Sequence, residues 1–351
     1  MNNKTKTISS LDAKVLGASG FKLVSVVLSF FNEQENLLEL IQRLRSVFQK
    51  LIKQKHIQEY ELLFVDDCSS DNSYQILVDQ SHKSPQYENI RILRMSRNFG
   101  VSACVFAGFE HSKGDVVIYM DSDLQDPPEV IPQMIDAMIT RPGTDVVHTV
   151  RTRRDGESFI KLLITRIGYH VLKKSSSIDL PIEAGDFKLL SRRVVQELLR
   201  FKEVNPYIRG LVSWVGFSQL KIPYNREKRF SGKTKFPVLS FKVISNFFSS
   251  ALIAFSDIPL TILSITGLLI SAIAFMVEVY LIGQYLILGV GRTEILAVAA
   301  FTFLAGIQLI GIGVLGLYIG PILKESRNRP RYIISSTHGL RTSEQMLDSH
   351  K

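Results

Sequence analysis

Asp121 and Asp123 stand one residue apart, followed by Gln125-Asp126-Pro127-Pro128-Glu129. Before them runs Asp115-Val116-Val117-Ile118-Tyr119, a short apolar stretch that reads as a buried strand. Pro127-Pro128 forbid continuation of a central strand and force a turn. The result is a group of hard oxygen donors, Asp121, Asp123 and Gln125, at the exposed end of a buried strand. Such donors suit Mg²⁺ or Mn²⁺, which take carboxylates, carbonyls, waters and substrate phosphates. The alternative is a solvated acidic loop, since short motifs match by chance.

The elements around this turn weigh against the loop. Residues 24–31, 61–65 and 90–95 are apolar runs of strand length. Residues 37–51 repeat Leu37, Leu40, Ile41, Leu44, Val47, Phe48 and Leu51 at helical spacing. Residues 73–81 and 101–111 read as two further helices. Strands alternating with helices imply a parallel α/β sheet, whose ligands bind beyond the carboxyl ends of the strands. Here each of those ends is polar: Asn32 and Glu33, Asp66 and Asp67, Arg97 and Asn98, Asp121 and Asp123. Four polar strand ends in succession point to a site. Neither a phosphate-binding P-loop nor a dinucleotide glycine fingerprint is present.

Composition narrows the class. The 351 residues are 46% hydrophobic with a net charge of +9, which fits a membrane-associated chain handling anions better than a soluble enzyme. Cys68 and Cys104 read as buried thiols. Residues 1–21 lack an apolar core and read as a disordered tail without a signal peptide. A fifth strand, residues 145–150, runs into Arg151. Residues 158–174 form a basic amphipathic helix carrying Arg166, either a surface helix or an interfacial one. Residues 222–235 are rich in Arg and Lys and read on their own as a solvated basic loop. A juxtamembrane helix is expected over 237–257, and spans over 258–282 and 294–323. Lys and Arg flank the pair on both outer sides, through Lys324, Arg327, Arg329 and Arg331 at the end. That asymmetry places the flanks, and the 22–236 domain, in the cytoplasm. Glycines at 306, 311, 313, 316 and 320 offer a helix-packing face. Residues 324–351 read as a cytoplasmic C-terminal tail, whose final residues, 334–351, are polar and loose.

Four stretches carry a family resemblance: Val26-Val27-Leu28-Ser29-Phe30-Phe31-Asn32-Glu33, Val65-Asp66-Asp67-Cys68-Ser69-Ser70-Asp71, Arg97-Asn98-Phe99-Gly100, and residues 120–129. With Arg229-Phe230-Ser231-Gly232-Lys233-Thr234-Lys235, they resemble the polyisoprenyl-phosphate glycosyltransferases of glycosyltransferase family 2, among them dolichol-phosphate mannose synthase and the bactoprenol glucosyltransferases. The resemblance covers about residues 23–323. It implies a GT-A domain, Rossmann-like with a mostly parallel sheet, joined to amphipathic juxtamembrane helices and two transmembrane helices. It implies inverting, metal-dependent transfer of a hexose, glucose from UDP-glucose, to undecaprenyl phosphate at the inner membrane. Residue by residue, Asp67 should contact the nucleotide base, with Ser29, Phe31 and Glu33 beside it and Arg97 on the same side. Asp121, Asp123 and Gln125 should bind Mg²⁺ or Mn²⁺. Arg151 and Arg229 resemble the phosphate-binding arginines, with Lys235 and Arg166 assisting. Asp186 stands where a GT-A enzyme places its base. Relatives with this architecture can be homo-oligomers. Ser29, Phe31 and Cys68 depart from the pattern, standing where many relatives have Pro, Tyr and Gly.

Three other readings compete. A processive polysaccharide synthase would carry a Gln-x-x-Arg-Trp element, and none is present. A non-catalytic scaffold has no need of Asp121, Asp123 and Gln125 together. Nucleic-acid binding rests on charge alone, and the charge clusters beside the spans.

Overall fold

A computed structural model describes residues 20–82, 89–152, 184–204, 206–227, 258–288 and 293–340. The chain divides into two compact units: residues 1–162, 178–235 and 330–351 form the first, and residues 163–177 and 236–329 the second.

The first unit is built on a sheet of eight strands, in the order β7-β5-β6-β4-β1-β2-β3-β8. β1 (Phe21–Phe30), β2 (Ile57–Asp66), β3 (Ile90–Met95) and β4 (Val116–Asp121) run parallel to one another. β1 lies at the centre, and its residues 24–30 are buried throughout because helices cover both faces. α1 (Leu37–Lys53) buries the stripe expected from its spacing. α2 (Ser73–His82), α3 (Val101–His111) and α4 (Ile131–Thr140) complete the α/β alternation. α3 packs so closely on β1 that a Cβ at Gly108 would lie 2.1 Å from Val27 Cγ1. Glycine is what permits that approach.

Two strands break the parallel pattern. β6 (Ala184–Ser191) inserts antiparallel between β4 and β5 (Val146–Arg151), with Tyr119 opposite Lys188. Because β6 runs the other way, its beginning, not its end, reaches the edge where the parallel strands finish. β7 (Gln219–Tyr224) then pairs parallel with β5. Between β6 and β7 lie α5 (Arg192–Arg200) and α6 (Ile208–Trp214). The second exception is β8 (Ile334–His338), which pairs antiparallel with β3. This corrects the reading of the C-terminal residues as a loose tail. β8 covers the open edge of β3, and edge strands with unpaired backbone groups need such a cover. Arg331, read from sequence as part of a membrane flank, also belongs to this unit. Its guanidinium lies over Phe106, and its Nε donates to the Glu203 carbonyl at 2.8 Å.

The second unit contains two long helices, α7 (Ile258–Leu288) and α8 (Thr293–Ser326). Leu268, Phe275, Leu309 and Ile310 are exposed. Among the described residues one helical segment, Phe303–Ser326, is long and apolar enough to cross a membrane, and the apolar stretch of α7 at Ile265–Val277 is shorter. A Cβ at Gly311 would lie 3.7 Å from Leu263, whereas one at Gly306, Gly313, Gly316 or Gly320 would meet no atom within 4 Å among the described residues. The expected amphipathic helix at 158–174, the juxtamembrane helix at 237–257 and almost all of the N-terminal tail lie outside the described residues.

Candidate active site

The polar strand ends converge on one edge of the sheet. At β1, Asn32 takes a left-handed φ of 54° and turns the chain back. Its side-chain oxygen accepts the Ser70 N–H at 2.8 Å, and its own N–H donates to Ser69 Oγ. The Glu33 N–H donates to Ser73 Oγ at 2.9 Å, and the Glu33 carboxylate accepts from Asn36. Ser29 is buried, and its carbonyl accepts the Ser122 hydroxyl at 3.1 Å. The β1 end is thereby tied to the β2 loop and to the Asp-x-Asp turn.

At the end of β2, Asp66 is fully buried, accepts the Ser69 N–H at 2.8 Å and lies 3.4 Å from Arg94. Asp67 accepts the N–H groups of Phe99 and Gly100 at 2.7 and 2.9 Å. Those two groups stand just before the first turn of α3, where a carboxylate is favoured. Burial pushes both carboxyl groups above the usual range, against these hydrogen bonds. Arg97 is exposed, with its guanidinium 3.9 Å from the Phe99 ring centroid. Asp67 and the Arg97 loop are therefore one assembly. Cys68 has φ 63°, the left-handed region that favours glycine.

The Asp-x-Asp turn has a compact geometry. Asp121 ends β4, Ser122 is buried, and Asp123 Oδ1 accepts the Gln125 N–H at 3.1 Å. Leu124 adopts φ 58° and drops its side chain into the core. That anchor leaves Asp121, Asp123 and Gln125 partly open to solvent on either side of it. The turn is braced from outside: the Glu227 N–H donates to the Gln125 carbonyl at 2.9 Å, and Arg43 of α1 pairs with both Glu129 and Glu227.

The reversed strand β6 supplies the other half. Continuing the register from the Tyr119 and Lys188 pair by two residues brings Asp186 opposite Asp121. Asp186 forms a two-pronged ion pair with Arg209 of α6, one prong at 2.7 Å. Burial works to raise the Asp186 carboxyl, and the cations Arg209, Lys188 and Arg151 overcome it, holding it below the usual range. Asp121 has the opposite balance: burial and the neighbouring carboxylates Asp186, Asp123 and Asp126 push it up to about 7. Lys188 is buried, donates to the Gly185 carbonyl and the Tyr119 hydroxyl, and is lowered to about 7 by burial. Arg151 ends β5 beside Tyr224 of β7, whose hydroxyl bonds to the buried Asp126.

The sequence match agrees with this arrangement. Residues 25–199, from β1 to α5, match the family model for glycosyl transferase family 2. The chain is a family 2 glycosyltransferase. Its catalytic unit has the GT-A-like α/β fold, with the sheet mostly parallel. The glycosyltransferase is 38% identical over 330 residues to YkcC of Bacillus subtilis, described as an uncharacterized glycosyltransferase, covering 93% of this chain and 97% of the relative. It is 35% identical over 318 residues to the SfII prophage-derived bactoprenol glucosyl transferase of Shigella flexneri, covering 90% and 98%. A prophage bactoprenol glucosyl transferase homolog of Escherichia coli K12 is 34% identical over 315 residues, covering 89% and 98%.

Among the described residues of the glycosyltransferase, no three His, Cys, Asp or Glu side chains are grouped to cage a metal ion. The donor set still fits Mg²⁺ or Mn²⁺. Mg²⁺ is held by one or two carboxylates, with waters and substrate phosphates completing the shell. The mutual repulsion that raises Asp121 is the kind a cation relieves.

Ser29, Phe31, Glu33, Asp67 and Arg97 lie at the ends of β1 to β3, and Asp121, Asp123, Gln125, Asp186 and Arg151 at the ends of β4 to β6. Arg166, Arg229 and Lys235 lie outside the described residues. Sequence reasoning missed Arg209, Tyr224, Lys188 and Arg43. For Lys188 a signal existed, a lysine inside the apolar run Phe187-Lys188-Leu189-Leu190. For Arg209, seven-residue α6 offers none. Residues 222–224, read as part of a basic loop, belong to β7, and Arg226 lies 3.6 Å from buried Asp126.

Proposed function

We propose that the enzyme transfers glucose from UDP-glucose to undecaprenyl phosphate, with inversion, on the cytoplasmic face of the inner membrane. The observation that carries this reading is the meeting of the Asp121 and Asp123 carboxylates with the cations Arg151 and Arg209 at one sheet edge. An acidic turn that can hold a metal-bound diphosphate sits beside cations that can hold a second, acceptor phosphate. The near full-length similarity to bactoprenol glucosyl transferases supports the choice of lipid acceptor and of glucose.

In this mechanism, Ser29, Phe31, Glu33 and Asp67 border the nucleotide, with Arg97 at the rim. Asp121, Asp123 and Gln125 would hold Mg²⁺ or Mn²⁺, which would supply positive charge against the diphosphate leaving group. Arg151, with Arg229, Lys235 and Arg166, holds the acceptor phosphate. One phosphate oxygen attacks the anomeric carbon from the face opposite the diphosphate. The new bond to oxygen forms as the bond to the diphosphate breaks, and UDP leaves with the electron pair. The acceptor phosphate is already an anion at neutral pH, so no proton need be removed. Asp186 stands at the position of a base, and its pairing with Arg209 suits it to orienting that arginine instead. α7 and α8 serve as two membrane spans, and the glycine face of α8 is open for a second copy of the chain.

The test supplies full-length protein with undecaprenyl phosphate, a divalent ion and, in turn, radiolabelled UDP-glucose, UDP-galactose and GDP-mannose. Label should enter the organic-extractable lipid from UDP-glucose alone and be lost with EDTA. Absence of lipid product from every donor, with nucleotide binding intact, would sink the reading.

A further inference from the structure

A chain of side chains joins two strand ends of the site, and its members Tyr224 and Asp126 have no part in the steps above. Tyr224 ends β7 directly opposite Arg151 at the end of β5. Its hydroxyl donates to Asp126 Oδ1 and accepts from Arg151 Nε at 3.3 Å. A phenol has one proton and a guanidinium accepts none, so the direction of both bonds is fixed. Tyr224 is 5% exposed and Asp126 1% exposed, which keeps water from replacing either partner. The Tyr224 ring packs edge-on against Phe187, with centroids 6.2 Å apart. Arg226 Nε stands 3.6 Å from the same Asp126 oxygen. Across the guanidinium lies Gly185, where a Cβ would sit 3.1 Å from Arg151 Nη2 and 3.5 Å from the Tyr224 hydroxyl. The arginine is therefore held at Nε by a hydroxyl and confined at Nη2 by a backbone that lacks a side chain.

We propose that Tyr224 is a positioning residue that aims Arg151, with Asp126 as its anchor and Gly185 as the clearance that admits the guanidinium. Asp126 directly follows Gln125, so the chain ties the orientation of Arg151 to the Asp-x-Asp turn. One edge of the arginine fork is spent on the tyrosine, and the Nη donors are left for a phosphate. This inference rests on reading Arg151 as a contact to the acceptor phosphate. Through it, the spacing between the donor's diphosphate and the acceptor's phosphate is set by two buried side chains rather than by the substrates.

The experiment is a double-mutant cycle on full-length protein in lipid nanodiscs, varying undecaprenyl phosphate and UDP-glucose separately. Tyr224→Phe keeps the packing against Phe187 and removes the hydroxyl. It should raise KM for the lipid phosphate about tenfold, the size of one hydrogen bond to a charged group, and change KM for UDP-glucose by less than about twofold. Arg151→Ala should raise the lipid KM at least as much. Tyr224→Phe combined with Arg151→Ala should be no worse than Arg151→Ala alone, because the tyrosine acts only through the arginine. Gly185→Ala, which crowds Nη2 most closely while leaving the hydroxyl in place, should give the same selective rise. It keeps the test decisive if Tyr224→Phe folds poorly. Additive effects, or both KM values rising together, would show a merely structural tyrosine and overturn the proposal. A Tyr224→Phe enzyme identical to wild type overturns it as well. If Arg151→Ala itself leaves the lipid KM unchanged while the enzyme still makes lipid product, the acceptor role of Arg151 falls, and the inference with it.

Discussion

The two halves of the sheet edge are held together in different ways. Around β1 to β3, the loops are fixed by side chains bonding to nearby backbone: Asn32 to Ser70, Asp66 to Ser69, Asp67 to Phe99 and Gly100. The Asn32 and Asp67 contacts join adjacent strand ends of a parallel sheet, and the Asp66 contact closes the loop after β2. Around β4 to β7, the groups are fixed by pairs between side chains: Asp186 with Arg209, Tyr224 with Asp126 and Arg151, Arg43 with Glu129 and Glu227. In the first half each loop is held by bonds to fixed backbone groups. The second is a balance of charges in which removing any member changes its neighbours.

Four experiments sharpen that contrast, beginning with the largest effect. Asp123→Ala removes a carboxylate from the turn without disturbing the Leu124 anchor. Lipid-linked product should fall by about 10³-fold, the scale of losing an electrostatic contact to a developing charge, while circular dichroism stays unchanged. A drop of less than tenfold would place the ion elsewhere.

Arg209→Gln strips Asp186 of its strongest opposing charge. Burial then dominates, and the Asp186 carboxyl should protonate at higher pH than in wild type. Because the mechanism gives Asp186 no proton to remove, kcat should fall by about 10²-fold with its acid limb unshifted. A limb moved toward neutrality would instead mark Asp186 as a base.

His148 tests the charge balance through stability. It is fully buried, bonded to Gln219 at 2.7 Å, and lowered to about 4 chiefly by burial, with Lys188 adding to the effect. The folded state holds it neutral while the unfolded chain takes up a proton below about 6.5. Stability should therefore fall as pH drops from 6.5 toward 4 and lose nothing more from this group below that. The loss is on the order of 3 kcal/mol. Urea midpoints at pH 7 and 4.5 should converge in His148→Gln relative to wild type. An equal acid loss in both proteins would assign it to other groups.

Arg43→Ala should have the smallest effect. Its partners Glu129 and Glu227 are half exposed, and such pairs contribute roughly 1 kcal/mol or less. Hydrogen exchange at the Glu227 amide, which bonds to the Gln125 carbonyl, should quicken while α1 stays protected. No change there would mean that β7 holds the segment unaided.

The parallel core was legible in the sequence because its signals are local. Apolar runs of strand length, the Leu37 to Leu51 stripe and polar residues at each strand end follow from burial and chain geometry within a few residues. The Asp121 to Glu129 turn could be placed because two prolines forbid anything else. Cys68 could be singled out because its position favours glycine, and its φ of 63° gives the reason. What only the tertiary structure decided begins where the chain reverses. Nothing local marks β6 as antiparallel, so nothing local said that Asp186, near its start, would lie against Asp121. Arg209 and Tyr224 have no motif because their meaning lies in partners 23 and 98 residues away. β8 looks like a polar tail, since a covering edge strand needs only a backbone that pairs, and Ile334–His338 finds its partner in β3. Periodicity encodes which face of an element is buried. It does not encode which distant charge will lie against it, and in this enzyme that second kind of information assembles half of the candidate site.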